Sequence, residues 1–570
     1  VSTASSERRT RVLAIVLFLV ALAIRLVGIT WGLPNDLRNS SLHPDEPVLY
    51  SNYAYMPNPL LPGNYNYPTL YPVMLRVAGD VAATLSGVQA PPQRAPTSLQ
   101  DQMSMLTQMA PHMRVVNLAG RVLSALAGAG TAVVVFFLVL RFAGTVAALF
   151  AGSLTAIAPA LVVHSRFQTV DVTATFFFWL AILFAVKLYA EPEKAVRDAL
   201  LAGVFAGLSA GTKYAGALAL LSVCAALLLA RNPSWPKLAA VSLAACAVVF
   251  VITTPGVLFE TSKFLFGVSE ESRHMKQGQE LTFVSTPPGY IYQLGNLFTG
   301  IGPLAFLMGI AGLSYGALKK KPWILIILPS ILAYYLLIGP SQVKFVRYAL
   351  PLIPAIAIGF GYAVGGAARR PALRRFAVAG GIIALLGIDS LAMAGYKPGP
   401  STDSFDPRFG GAFGAYRLTS YMVREDPRDE AARYLKEKAQ STPGMTVGLF
   451  QIPWFWTVPV IKDPVFIYGL PPEALGPFLV QYLATTSHPK VVMGPVPTYM
   501  ALTSYEILPF TRIKDASEVP IGEHEQFHTM LRVLGYVRDR AVLEKSFGDD
   551  APAVEDLMYV QPRVDVLRFK

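Results

Sequence analysis

The chain has 570 residues, of which 53% are hydrophobic and 15% charged, with a mean hydropathy of +0.45 and a formal net charge of +12. That apolar surplus exceeds what the core of a soluble protein of this length needs, and it excludes an ordinary soluble fold. The positive charge sits in short clusters between apolar runs, as in loops facing the cytoplasm, which argues against nucleic-acid binding.

Arg8, Arg9 and Arg11 precede an apolar run from Val12 to Trp31 that is long enough to cross a bilayer. Ala21-Leu22-Ala23 resembles a signal-peptide cleavage site, but cleavage there would leave the run half used, so a spanning helix is the stronger reading. Residues 32–114 form a long first loop. Ser41-Leu42-His43-Pro44-Asp45-Glu46-Pro47 opens it with two adjacent carboxylates and an imidazole close to the water edge of the membrane. Tyr65-Asn66-Tyr67-Pro68-Thr69-Leu70-Tyr71-Pro72 follows, and then Tyr71–Ser86, which Arg76 and Asp80 interrupt and which reads as an amphipathic interfacial helix. Residues 91–102 read as a polar linker.

Further spans are expected near 115–140, 145–163, 169–190, 198–211, 213–230, 238–254, 297–316, 322–338, 345–366 and 372–394, which with the first makes eleven. An odd count puts the N-terminus inside, and every second loop should then be basic. The loops so assigned carry Arg141; Lys187, Lys194 and Arg197; Arg231 and Lys237; Lys319, Lys320 and Lys321; and Arg369, Arg370, Arg374 and Arg375. Residues 255–295 form a second long outer segment, expected to be an interfacial helix and lid. Arg25 and Asp389, both inside spans near the outer ends, are expected to form a structural ion pair.

Beyond residue 395 the composition changes. Residues 396–426 read as a linker, and 427–570 as a small soluble α/β domain outside the membrane. A helix is expected from Asp426-Pro427 to Lys438, helical stretches near 472–484 and 527–534, and short apolar runs at 445–450, 490–493 and 505–508. The domain carries no nucleotide-binding glycine loop, which favours acceptor binding or a structural cap over a second activity.

On this topology four polar patches share the outer face: His43 to Glu46, His164 to Asp171, Gly211 to Tyr214, and Lys344 to Pro351. Together they combine acids suited to activating a hydroxyl with cations, Arg166, Lys213, Lys344 and Arg347, suited to holding a phosphate. Asp171 reads either as a helix N-terminal acid or as a ligand. With His43 and His164 it makes a candidate set for a divalent ion, although no helical HxxxH spacing supports one.

The patches resemble the polyprenyl-phosphate-sugar-dependent membrane glycosyltransferases, which include the protein O-mannosyltransferases and the aminoarabinose transferase of lipid A. The resemblance rests on Pro44-Asp45-Glu46, Tyr67-Pro68-Thr69-Leu70, Ser165-Arg166-Phe167 followed by Asp171, Lys213-Tyr214, and Arg347-Tyr348 with Leu350-Pro351, all in the family's order. It covers roughly residues 12–395; residues 68–70 read Pro-Thr-Leu where many relatives have Pro-Pro-Leu. It implies a mainly α, GT-C-like membrane fold with interfacial helices in the outer loops and an active site facing away from the cytoplasm, in the plasma (inner) membrane. It also implies transfer of one sugar, with inversion, from a polyprenyl-phosphate donor to a protein, lipid or glycan acceptor. The catalytic first-loop acid of the family maps onto Asp45, with Glu46 beside it, and Tyr67 and Tyr348 line the substrate loops. The alternative from another class is a transporter or flippase for a lipid-linked saccharide, which should show internal repeats and broken helices at mid-membrane.

Overall fold

The computed structural model describes residues 2–54, 58–90, 99–396, 405–451, 454–459, 465–468, 496–548, 557 and 560–570. Each of the eleven predicted spans overlaps helical structure, with 145–163 and 372–394 each divided between two helices. The first is α1 (Ser2–Leu26), and in the first loop α2 (Asp45–Ala54) and α3 (Leu70–Ser86) follow it. Tyr71, Leu75, Gly79 and Ala83 of α3 are buried while Val77, Val81 and Leu85 are exposed, the one-sided pattern of an interfacial helix. Next come α4 (Leu99–Ala143), α5 (Thr145–Ile157), α6 (Pro159–His164), α7 (Val170–Ala190), α8 (Ala195–Thr212), α9 (Leu220–Ala230) and α10 (Trp235–Thr253). The expected linker 91–102 lies outside the described residues up to 98, and its last four residues already belong to α4.

The segment 255–295 holds α11 (Gly256–Phe259) and α12 (Thr261–Gln277), and α13 (Gly289–Ile301), α14 (Pro303–Leu318), α15 (Pro322–Ile338), α16 (Ile353–Ala368), α17 (Arg374–Leu386) and α18 (Ile388–Ala392) follow. The expected span 297–316 is not one helix: α13 and α14 meet at 114°, because Gly302 takes a left-handed φ of +108° and Pro303 starts a new helix. Among the described residues four helices are long and apolar enough to cross a membrane, within 107–143, 170–190, 235–253 and 346–368, and the bent pair makes a fifth if it is one span. Close packing relies on small residues. A Cβ on Gly312 of α14 would come within 1.9 Å of the Gly359 carbonyl oxygen on α16, so the two backbones touch.

Arg25 and Asp389 do not pair. Arg25 donates to the Ala156 carbonyl at 2.8 Å and the Thr155 carbonyl at 3.4 Å, the unpartnered end of α5, and to Ser165 at 3.1 Å. Asp389 accepts from the Leu304 backbone N–H, at 2.8 Å, in the first turn of α14. Each charge instead sits at the helix terminus whose dipole it complements, the cation at a C-terminus and the carboxylate at an N-terminus.

Within the expected linker, α19 (Gly411–Met422) is a helix packed against α6, α17 and α18. The C-terminal residues then form α20 (Pro427–Ser441), with Asp426 capping it by accepting from the Arg428 backbone N–H. A five-stranded sheet of β1 (Thr446–Leu449), β2 (Val465–Tyr468), β3 (Tyr499–Thr503), β4 (Ala541–Phe547) and β5 (Val564–Phe569) runs in the order β2-β1-β3-β5-β4. β1 is parallel to β2 and β3, and β5 is antiparallel to β3 and β4. The apolar run 505–508 belongs to a helix, α21 (Ser504–Arg512), because Thr503 and Glu506 form a reciprocal capping box that starts it. Residues 527–534 lie in α22 (His524–Arg540); the stretches 472–484 and 490–493 lie outside the described residues.

Candidate active site

The first loop is fastened before it is functional. Gly32 turns the chain with φ of +67°, and its carbonyl accepts from the Leu42 backbone N–H at 2.8 Å. Glu46, in the first turn of α2, is fully buried. Arg121 of α4 grips both its oxygens at 2.7 Å, the Gln168 backbone N–H donates to it at 2.8 Å, and Ser41 donates as well. Burial opposes the charge on Glu46, but Arg121, His43 and the Gln168 N–H together outweigh it and hold the carboxyl below its ordinary range. Arg121 also donates to the carbonyls of Ile29 and Trp31 at 2.6 Å, so one cation ties α1's exit, the acid loop and α4 together.

Asp45, one residue earlier, points the other way. Its side chain keeps 20% of its surface and faces Arg347, whose Nε lies 3.3 Å from its Oδ2. Arg347 is carried by the 3-10 turn Val346–Leu352 that leads into α16, and it stacks over Phe345 at 3.9 Å. Lys213 caps the end of α8, lies 4.2 Å from the Tyr348 ring centroid and bonds Asp171 at 2.6 Å. Burial, then neighbouring Asp45, Tyr348 and Glu271, raise the Tyr67 phenol well above its ordinary value, so it remains a neutral hydroxyl. The structure therefore brings Asp45, Tyr67, Lys213, Arg347 and Tyr348 into one group, with Asp171 attached through Lys213.

The remaining expected residues lie elsewhere. Arg166 is fully buried and donates to the Ile24 carbonyl at 2.8 Å and to Thr419 of α19 at 2.7 Å. Lys344 donates to Thr286 Oγ1 and the Pro287 carbonyl, both at 2.9 Å. His43 packs against Phe167 with ring centroids 4.4 Å apart and lies near His164, and burial pushes its imidazole well below the ordinary value. Asp171 is held by Lys213, and among the described residues no three His, Cys, Asp or Glu side chains are grouped so as to hold a metal ion. Asp171, His43 and His164 are thus not assembled as a ligand set. In the segment 255–295, Glu260 accepts from Tyr65 Oη at 2.6 Å and from the Gly63 backbone N–H at 3.1 Å, locking that segment to the first loop.

Arg121 and Gln168 carry the acid loop, yet neither is singled out by the motifs. The signal for Arg121 was its charge inside the expected span 115–140, since an ionised group within a membrane helix needs a partner.

The chain resembles the polyprenyl-phosphate-sugar-dependent membrane glycosyltransferases, as its motifs indicate. Residues 109–259 match the family described as Dolichyl-phosphate-mannose-protein mannosyltransferase. That match takes in Arg121, His164 to Asp171 and Lys213, but neither the first-loop acids nor residues 344–351. No curated protein sequence matches the chain. Among solved structures it is similar to ArnT from Cupriavidus metallidurans bound to undecaprenyl phosphate, at 16% identity and a TM-score of 0.49 over 97% of each chain. It is also similar to the apo oligosaccharyltransferase of Archaeoglobus fulgidus, at 12% identity and a TM-score of 0.48 over 95% of this chain and 80% of that one. The sugar-donor-bound protein O-mannosyltransferase Pmt1-Pmt2 complex of S. cerevisiae is 19% identical with a TM-score of 0.32, over 50% of this chain and 36% of that one.

Proposed function

We propose that this chain is an integral membrane glycosyltransferase that moves one sugar from a polyprenyl-phosphate donor to an acceptor on the extracytoplasmic side, with inversion. The observation that carries the reading is the pairing of a partly exposed carboxylate, Asp45, with Arg347 at 3.3 Å, beside the second cation Lys213. An acceptor hydroxyl is a weak nucleophile at neutral pH, whereas a phosphate monoester leaves without an acid, so the reaction needs one base and cations for the departing phosphate. In this reading Asp45 takes the hydroxyl proton as the oxygen attacks the anomeric carbon, and the bond to the phosphate oxygen breaks on the opposite face. Arg347 and Lys213 stabilise the released polyprenyl phosphate, Arg347 with a planar fork that matches two oxygens. As the phosphate draws on the guanidinium, the hold on Asp45 loosens and the carboxylate turns to the acceptor. Tyr67 and Tyr348 border the sugar. Glu46 is a positioning residue, acting through the loop that it anchors. Residues 1–395 form the catalytic membrane domain, crossing the membrane eleven times with the N-terminus inside. Residues 396–426 connect it to the extracytoplasmic domain 427–570.

The transporter reading draws on the break between α13 and α14, since broken helices expose backbone groups to a substrate. Here the Leu304 N–H, in the first turn of α14, is bonded to Asp389, which favours a structural bend.

The test is transfer of radiolabelled sugar by the purified protein from a panel of polyprenyl-phosphate sugars, with donor binding measured separately. Asp45→Asn keeps the shape and removes the base, and turnover should fall by roughly 10²–10⁴ with donor affinity retained. Transfer at the parent rate by Asp45→Asn would remove Asp45 from catalysis; absence of transfer from every donor by the parent protein would sink the enzyme reading.

A further inference from the structure

The catalytic reading leaves the acceptor unspecified, and a second site narrows it. A cavity of about 320 Å³ opens between the C-terminal end of α12 with its following loop, the stretch 342–344, and residues 518–520 of the C-terminal domain. That volume is within the range of small-ligand sites.

Its lining has a particular chemistry. Gln277, Gln279 and Gln342 present side-chain amides, which both donate and accept and so match hydroxyl groups in either orientation. The charges balance, Lys276 and Lys344 against Glu280 and Glu518, and the Lys344 amine already donates to Thr286 and Pro287. A phosphate would meet two carboxylates without a surplus of cations, and a lipid tail would meet polar groups. Phe283 also borders the cavity, but its ring is buried and packed edge-on against Tyr292 and Phe345, so the lining that a ligand meets is mainly polar.

The place of the cavity fits an acceptor. Lys344 is three residues from Arg347, so it lies within about 11 Å of the residue that faces Asp45. From the other side, Glu271 in the middle of α12 acts on Tyr67 and Tyr348, and Gln277 is six residues further on, about 9 Å along the helix. The intervening loop holds Glu280 and Ser285 in left-handed backbone conformations, φ +46° and +58°, which non-glycine residues keep only where the surroundings enforce them. Ser285 is bonded to Glu518, and Arg512 donates to the carbonyls of Leu281, Thr282 and Val284. The C-terminal domain thus shapes the cavity.

We propose that this cavity binds neutral sugar units of the acceptor, so that the acceptor is a glycan or a glycosylated molecule rather than a bare peptide; this rests on the glycosyltransferase reading. The test is saturation-transfer NMR on the full-length protein in detergent with mannotriose, maltotriose, cellotriose and galactotriose, and with a Ser/Thr-containing octapeptide as the contrasting arm. At least one trisaccharide should receive saturation. Gln342→Trp and Gln279→Trp, both at exposed positions, fill the space, and each should weaken that binding at least tenfold. Donor binding, measured separately, should stay unchanged in both variants. Absence of binding by any trisaccharide, binding insensitive to both substitutions, or saturation of the peptide alone would overturn the proposal. If the parent protein transfers sugar from no donor while trisaccharide binding behaves as expected, the transferase reading fails and the sugar site stands.

Discussion

Two neighbouring carboxylates have opposite surroundings: Glu46 has no exposed surface and two bonds to Arg121, while Asp45 remains within reach of solvent and of Arg347. Glu46→Gln leaves the Arg121 guanidinium buried without its counter-charge, and removing one partner of a buried pair costs about 3–5 kcal/mol. The expected outcome is a lower thermal midpoint of the purified protein, partly restored in the double variant Glu46→Gln/Arg121→Gln; an unchanged midpoint in the single variant would show that the pair carries no stability. Lys344 makes a different prediction, because burial, and then the nearby Arg512, hold its amine down to about 8 from an ordinary 10.5. The folded state therefore binds that proton less readily than the unfolded chain. Stability should rise with pH between about 8 and 10.5 and lose this contribution as pH falls through the same window. Lys344→Met should flatten that part of the profile, read as thermal midpoints at pH 7.5, 8.5 and 9.5.

At the scale of elements, the bend between α13 and α14 turns on Gly302, with Pro303 starting the next helix. Gly302 has φ of +108°, and a Cβ there would also come within 2.5 Å of the Gly410 backbone. Gly302→Ala combines backbone strain with a clash that no rotamer relieves, and should destabilise by at least about 1–3 kcal/mol. The check is the fraction of monodisperse protein recovered in detergent beside Gly366→Ala, a position with open space. Equal recovery would mean that the bend tolerates a side chain. The sequence marked this segment as apolar and placed a span at 297–316, but apolar content does not report a change of direction. Only the pairing of a glycine with the proline after it hinted at the break.

Across the whole molecule, the C-terminal domain clasps the loop that carries Asp45. Arg38 pairs with Asp429 at 2.9 Å, Asn35 donates to the same carboxylate at 2.9 Å, and Trp31 lies against Arg428 of α20. Domain and acid loop must then share one side of the membrane. Cysteines at Asp36, Gln342 and Ile521 should be labelled from outside intact cells by an impermeant reagent, while one at Lys320 should be labelled only after permeabilisation. Labelling of the Lys320 position in intact cells would overturn the eleven-span arrangement.

Hydropathy by itself determined where the long apolar segments lie, because a segment must be apolar over its whole length to sit in lipid, and local composition records that; it gave no sign of α19. Alternating basic loops suggested an order for those segments, and short polar motifs at their ends marked the residues of the candidate site. The partners were a matter of tertiary structure. Arg121 on Glu46, Lys213 on Asp171, Arg347 on Asp45 and Asp389 on the α14 terminus join residues between 42 and 302 positions apart. Charge at such separations can be satisfied by many alternative partners, and packing decides among them. The same holds for Arg166, whose motif suggested a phosphate and whose guanidinium meets α19 instead. The sheet beyond residue 445 was the least legible part, since strands of four to seven residues carry too little periodicity to separate from short helices, and Tyr505–Leu508 became helix through a capping box.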